Sequence, residues 1–411
     1  MRISAVLFSF SVLTVHAQLD LSWRHRFDPP SMLTGFGDVG LGLDRRNDSL
    51  VVGHTWENRA HTTLFNAGIG DIHWTMPSND TVAHYGGRRY FGGGILSAQR
   101  VAGGSSLTLR SATLGLDGTS AWSDDAGLMD VQLVRGPLVN TTDNTAIVLA
   151  YGNGVLHGRM YDHAGLVASW QHTSPIPWTS LDAMVIDGDD VLVTAMVDHP
   201  SAFTDVPRLM RVDGATGNAS WANHLSDTTG FLVNAPAITA HWNADTLLSI
   251  HTTYSGQVVL RMTDADDGAV LWSFTDTLET IPELASMAVV PVEGTVFVAL
   301  RGGNTLAYSP SGGRLWMDTL HTQAPYARAM ILANADHLIH IITDRQHTDQ
   351  GQDVRVRALD PTTGVLLDEA WVNDTVNTHD LLENALLHGD VLHLLTAATF
   401  LLAVPGCKGS K

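Results

Sequence analysis

A chain of 411 residues with 44% hydrophobic and 16% charged residues has the composition of a globular protein able to bury a large core, not of a disordered one. Its formal charge of −19 repels phosphate backbones and excludes nucleic acid as a natural partner. The single cysteine, Cys407, rules out an intramolecular disulfide framework, a cysteine-ligated zinc centre and haem attachment through C-x-x-C-H.

The first residues predict a signal peptide over 1–17. Met1-Arg2 supplies the positive start, Ile3 to Val15 the apolar run, and Val15-His16-Ala17 the small residues of a cleavage site. The run is too short for a membrane-spanning helix, which needs about 20 apolar residues. A buried N-terminal strand is the other reading of the same segment. No cysteine follows the run, so no lipoprotein anchor is expected, and the mature chain is expected to begin near Gln18 in a secreted or periplasmic protein. Without Arg2 the formal charge becomes about −20, because one positive charge is removed from −19. No later stretch is apolar enough to predict a membrane span.

Eight of the eleven tryptophans form a ladder: Trp23, Trp74, Trp122, Trp170, Trp221, Trp272, Trp316 and Trp371. Their successive spacings are 51, 48, 48, 51, 51, 44 and 55 residues, whereas Trp56, Trp178 and Trp242 fall outside the pattern. Context repeats as well. A glycine precedes the tryptophan by four residues at Gly70, Gly118, Gly217, Gly268 and Gly312, with one extra residue between Gly165 and Trp170. From Gly364 to Trp371 the tryptophan has slipped later. An aspartate stands four before the glycine at Asp213, Asp264 and Asp360, and Asp162 lies close to that place. These residues predict a tight turn in which Asp caps, Gly supplies positive φ and the tryptophan strand begins at once.

Short β-branched runs separated by Gly, Asn and Asp precede each turn. Before Trp170 they are Val131 to Val134, Thr145 to Ala150 and Val155 to Tyr161; before Trp272 they are Ala235 to Ala240, Thr246 to His251 and Gln257 to Met262. Three strands plus the tryptophan strand, in about 48 residues, predict one propeller blade. At the ends, Trp23 has no strands before it, and the runs near Leu382 to Leu387, Val391 to Leu395 and Phe400 to Val404 have no tryptophan strand after them. The expectation is therefore an all-β, eight-bladed propeller of four-stranded antiparallel blades over 18–405, with the N-terminal strand completing the C-terminal blade. Such closure pairs edges that would otherwise template aggregation. Residues 406–411, which hold the only lysines, Lys408 and Lys411, read as a disordered tail.

The elements Asp213-Gly-Ala-Thr-Gly-Asn-Ala-Ser-Trp221 and Asp360-Pro-Thr-Thr-Gly364 resemble the docking repeat of the quinoprotein alcohol dehydrogenase-like (PQQ-like repeat) propellers. The resemblance covers nearly the whole mature chain at the level of the repeat. It implies a superfamily holding both PQQ dehydrogenases and non-enzymatic scaffolds such as the lipoprotein of the outer-membrane β-barrel assembly machinery. In its terms the eight ladder tryptophans and the five glycines named above are blade-docking residues. WD-type and kelch blades fit less well, since no Trp-Asp pair occurs and Gly86-Gly87 and Gly302-Gly303 do not recur in register.

Chemistry-bearing motifs are sparse. A PQQ enzyme of the resembling superfamily implies a vicinal disulfide over the cofactor, which one cysteine cannot make, and calcium ligands for which no segment matches. Asp264-Ala-Asp266-Asp267-Gly268 has alternating carboxylates like a calcium loop but coincides with a docking turn and lacks the distal glutamate. Asp187-Gly-Asp189-Asp190 reads as a hairpin turn. His337 and His340 would lie on opposite faces of a strand, and His379, His388 and His393 cluster only loosely. There is no H-E-x-x-H, no G-x-S-x-G elbow and no phosphate loop; five sequons occur, at Asn47, Asn79, Asn140, Asn218 and Asn373. No cofactor or metal is assigned. Two functions stay open: a monomeric, non-catalytic binder of protein or glycan through loops at one face, or an enzyme, PQQ-type or otherwise, with its site at the central channel. Convergent carboxylates or histidines at the channel mouth would favour an enzyme, and a charged or aromatic rim a binder. The signal and blade type imply a bacterial, Gram-negative origin by analogy.

Overall fold

The computed structural model describes residues 23–26, 40–56, 59–103, 106–127, 130–174, 177–198, 205–224, 238–243, 245–253, 255–279, 284–290, 294–320, 322, 328–334, 337–345, 353–372, 382–396 and 400–405. The signal segment, the tail and Cys407 lie outside them. Every regular element among the described residues is a β-strand, and all pairings are antiparallel. Burial follows position in the sheet. The second strand, such as Thr145–Gly152, is buried along nearly its whole length, whereas the last, such as Ser120–Asp125, alternates between exposed and half-buried. A strand covered on both faces needs continuous apolar residues, which is why Ala146 to Ala150 contains no polar residue.

The expectation of eight separate blades is corrected. Among the described residues the strands form seven sheets, six of four strands and one of seven. The seven-stranded sheet runs from Gly40–Arg46 to Ser120–Asp125 and contains both Trp74 and Trp122, which were expected to head different blades. The cause is a single extended strand, Ile72–Phe91, twenty residues long. Its first part pairs with Arg59–Asn66, placing Trp74 opposite Leu64, and its last part pairs with Gly94–Gly103, placing Arg88 opposite Ser97. Elsewhere the chain leaves one sheet before it enters the next; here one strand carries it from its first partner to its second, with register shifts in the pairing between Arg59 and His61 and between Val82 and Gly86. Counting tryptophans overstates the number of sheets because a tryptophan marks a strand, not a break.

The first strands of the sheets neighbour one another around the axis. Ile72–Phe91 lies between Gly40–Arg46 and Leu133–Asn140, which in turn meets Trp178–Val185, and Gly40–Arg46 also touches Leu382–His388. Cores form between successive sheets: Ile147, Leu149, Tyr151 and Trp170 of one pack with Trp178, Leu181, Val191 and Met210 of the next. Strand Trp23–Arg26 pairs with Phe400–Pro405, setting Trp23 opposite Ala403 and completing the sheet made by the last three strands. Deleting residues 23–26 leaves the Phe400–Pro405 edge unpaired. The expected result is a melting temperature lower by several degrees and concentration-dependent aggregation on light scattering. A deletion variant that stays monomeric with an unchanged melting curve would contradict this.

Candidate binding site at the axial mouth

The sites begin with the repeat turn, because it positions everything else. In the Asp213 turn, Asp213 Oδ1 accepts hydrogen bonds from the Ala215 and Thr216 amides and the Thr216 hydroxyl at 3.0, 2.7 and 2.9 Å. The Gly217 amide donates to the Asp213 carbonyl at 2.8 Å. Gly217 has φ +77°, and a Cβ there would lie 2.5 Å from Trp170 Cδ2, so glycine is required twice over, by backbone and by space. The Asp264 and Asp360 turns repeat the capping pattern. These hydrogen bonds hold Asp213 below the usual carboxylate range.

Six ladder tryptophans, Trp74, Trp122, Trp170, Trp221, Trp272 and Trp316, pack on the turn of the following repeat, not on their own. The Trp170 indole donates to the Gly214 carbonyl at 2.7 Å and the Trp221 indole to the Ala265 carbonyl at 3.0 Å. Trp74, Trp122 and Trp316 do the same to the Leu116, His163 and Pro361 carbonyls. Gly118, Gly268, Gly312 and Gly364 lie against Trp74, Trp221, Trp272 and Trp316. Trp170 and Trp221 are buried at 7% and 9% exposure, while Trp74, Trp122, Trp272, Trp316 and Trp371 are half-buried. The Trp23 side chain lies outside the description. Trp178, which the ladder omits, is buried at 3% exposure, stacks on Tyr151 with centroids 4.9 Å apart and donates to Ser174 Oγ.

A second set of inter-blade contacts escapes sequence reading. Asp124 and Asp318 each stand two residues after a ladder tryptophan. Asp124 pairs with Arg159 at 2.6 Å and accepts from the Tyr161 hydroxyl at 2.8 Å; Asp318 pairs with the buried Arg357. The only sequence signal was the Trp-x-Asp spacing, which two repeats are too few to reveal.

At one end of the axis the inner strands open into a cavity of about 660 Å³. One wall is basic and comes from the ends of Gly40–Arg46 and Ile72–Phe91: Asp44, Arg45, Arg46, Arg89 and Tyr90. The other is mainly apolar and comes from Leu133–Asn140 and Trp178–Val185, with Pro137, Leu138, Val139, Ala183, Met184 and Val185. Asp44 ties the basic wall together. It accepts from its neighbouring Arg45 amide at 3.0 Å, from Arg89 Nη1 at 3.2 Å and from the Tyr90 amide at 2.9 Å. Arg45 donates through Nε to the Asn47 carbonyl at 3.0 Å, and its Nη1 lies 2.8 Å from His393 Nε2. Burial, then Arg45 and His388, push the His393 imidazole down to about 4, so it is neutral and accepts from Arg45. Burial lowers the Arg45 pKa, against a raising pull from Asp48. A smaller cavity of about 230 Å³ lies at the opposite ends of other inner strands, near Arg301 and Arg328.

The described residues do not fit a calcium–quinone centre. Among the described residues no three of His, Cys, Asp or Glu converge to hold a metal. Asp264 and Asp267 are engaged by turn amides, and Asp266 and Asp190 by Arg211, so the acidic clusters serve the turns. His337 bonds to Asn334 while His340 is buried, so the two do not act together.

Residues 160–337 match the family model described as outer membrane protein assembly factor BamB. The chain resembles BamB. No curated protein sequence matches it. Among solved structures, BamB from Moraxella catarrhalis is 16% identical, with a TM-score of 0.60 over 94% of this chain and 100% of that one. The Dos1 propeller is 9% identical, with a TM-score of 0.61 over 97% of each chain. A europium-containing methanol dehydrogenase is 12% identical, with a TM-score of 0.61 over 92% of this chain and 85% of that one. At these identities the likeness shows the fold alone, a BamB-like and PQQ dehydrogenase-like propeller, and the chemistry must be argued from this chain's own side chains. Among the described residues no helix is long and apolar enough to cross a membrane.

Proposed function

We propose that the protein is a non-catalytic scaffold of the BamB-like kind, acting outside the cytoplasm of a Gram-negative bacterium after removal of residues 1–17, and binding a protein partner as a monomer. The observation that carries this reading is the axial mouth: among the described residues its one lining carboxylate, Asp44, is engaged by two amides and Arg89, and arginine stands beside a mainly apolar wall. A site of that composition recognises surfaces; it has no free acid–base pair to move protons. Blade-docking by the ladder tryptophans and their glycines holds the inner strands in register, so the mouth is preformed, which lowers the ordering cost of binding. Glycan is the other ligand class; of the two aromatic residues in the lining, Phe91 is buried and Tyr90 half-buried, so neither is a fully exposed stacking platform.

The test separates binder from enzyme. Purified mature protein is incubated with PQQ and calcium, dye reduction is followed with alcohols and aldose sugars, and cofactor binding is measured by calorimetry. Neither stoichiometric quinone binding nor turnover above a no-protein control is expected. Turnover with stoichiometric binding would overturn the proposal.

A further inference from the structure

We infer that the axial mouth recognises an acidic, extended peptide segment of the partner, seating its carboxylates on Arg45, Arg46 and Arg89 and its apolar side chains on Leu138 and Met184. This rests on the protein-binding reading above. Three arginines and one aspartate line a cavity in a chain whose formal charge is −19, so the mouth is locally cationic on an anionic molecule. An acidic segment is repelled over the general surface and attracted here, which gives both selectivity and a faster encounter. The cations are placed, not merely present. Arg45 is held by two neutral acceptors, the Asn47 carbonyl and the His393 imidazole, which fix its direction without cancelling its charge; Asp48 is the nearby acid that acts on it. Arg89 is steered by Asp44, and Arg46 is exposed at the strand end. Guanidinium groups so held present paired N–H donors to carboxylate oxygens.

The opposite wall and the volume argue for a peptide over a free anion. About 660 Å³ falls within the range of sites that engulf a whole ligand, and a lone carboxylate would leave the Leu133–Asn140 and Trp178–Val185 wall unused. A strand alternating acidic and apolar residues would turn one set to each wall.

The whole protein is titrated into a labelled hexapeptide of alternating acidic and apolar residues, and into its counterpart with every acid changed to the amide. Polarisation should show the acidic peptide binding at least about tenfold more tightly, a ratio worth about 1.4 kcal/mol. Arg46→Glu should abolish that preference, whereas Arg301→Glu, at the opposite mouth, should leave it intact. Equal affinity for the two peptides, no effect of Arg46→Glu, or equally effective competition by free glutarate would each overturn the inference. In parallel, complex formation with the protein's own partner is followed by cross-linking. A partner complex untouched by Arg46→Glu would sink the mouth inference and leave the binding reading standing. Absence of any partner complex would remove both.

Discussion

Replacing Trp170 or Trp221 by alanine is expected to destabilise the protein by about 3–5 kcal/mol, the usual cost of truncating a buried tryptophan. Each indole is buried, donates its N–H to the next turn's carbonyl, and lies directly over a glycine that has no side chain to fill the gap. Truncation therefore opens a cavity between sheets; at Trp170 it also takes the indole donor from the buried Gly214 carbonyl, whereas the Ala265 carbonyl keeps its bond from Arg211 when Trp221 is cut back. Trp74, half-exposed, should cost less. Trp178→Ala should rival the ladder positions despite lying outside the repeat, because its ring stacks on Tyr151 and its N–H is satisfied by Ser174. Urea unfolding monitored by circular dichroism reads all four variants. Losses below about 1 kcal/mol at both Trp170 and Trp221 would mean that inter-blade docking does not depend on the indoles.

Acid should weaken the fold well above the range in which carboxylates titrate. His340 is fully buried, and burial followed by Arg357 and Arg355 pushes its imidazole down to about 3; His393 is pushed down to about 4. Both are neutral in the folded chain, whereas an unfolded histidine takes up a proton near pH 6.5. Their contribution is fully present above pH 6.5 and is lost as pH falls, because protonation then favours the unfolded state. Between pH 6.5 and 5 the expected loss is between about 1 and 2 kcal/mol for each group, about 3 kcal/mol together. Melting curves at pH 7.5, 6.5 and 5.0 test this against His340→Leu and His393→Gln, each of which should remove about half of the decline. An unchanged decline in both variants would contradict it.

Much of this was legible in the residues. The alternation of β-branched runs with Asp and Gly turns predicted an all-β propeller, because the signals involved are local: a cap, a positive φ, a strand that follows at once. Non-local features were less legible. That Trp170 docks on Gly217, in the next turn, is a relation across more than forty residues, and the spacing of tryptophans is the same whichever turn they meet. The sheet count failed for a related reason. Residues 72–91 carry the same strand signals as any pair of successive strands, and nothing in their composition states that the backbone passes between neighbouring ladders without a break. The mouth was invisible for the same cause: Arg45 and His393 are at opposite ends of the chain and meet only when the ring is formed. Trp178 shows the converse limit, since a residue outside a repeat is free to be as buried as those within it.

The most direct test of a protein-binding axial mouth is site-specific photo-cross-linking in the native host. A photoreactive residue placed at Thr141, which is exposed and lines the mouth, should give a covalent adduct with a polypeptide, mapping by mass spectrometry to one acidic segment. The same residue at Ser273, exposed on an outermost strand, should not. Adducts at Ser273 but none at Thr141 would contradict a partner seated in the mouth.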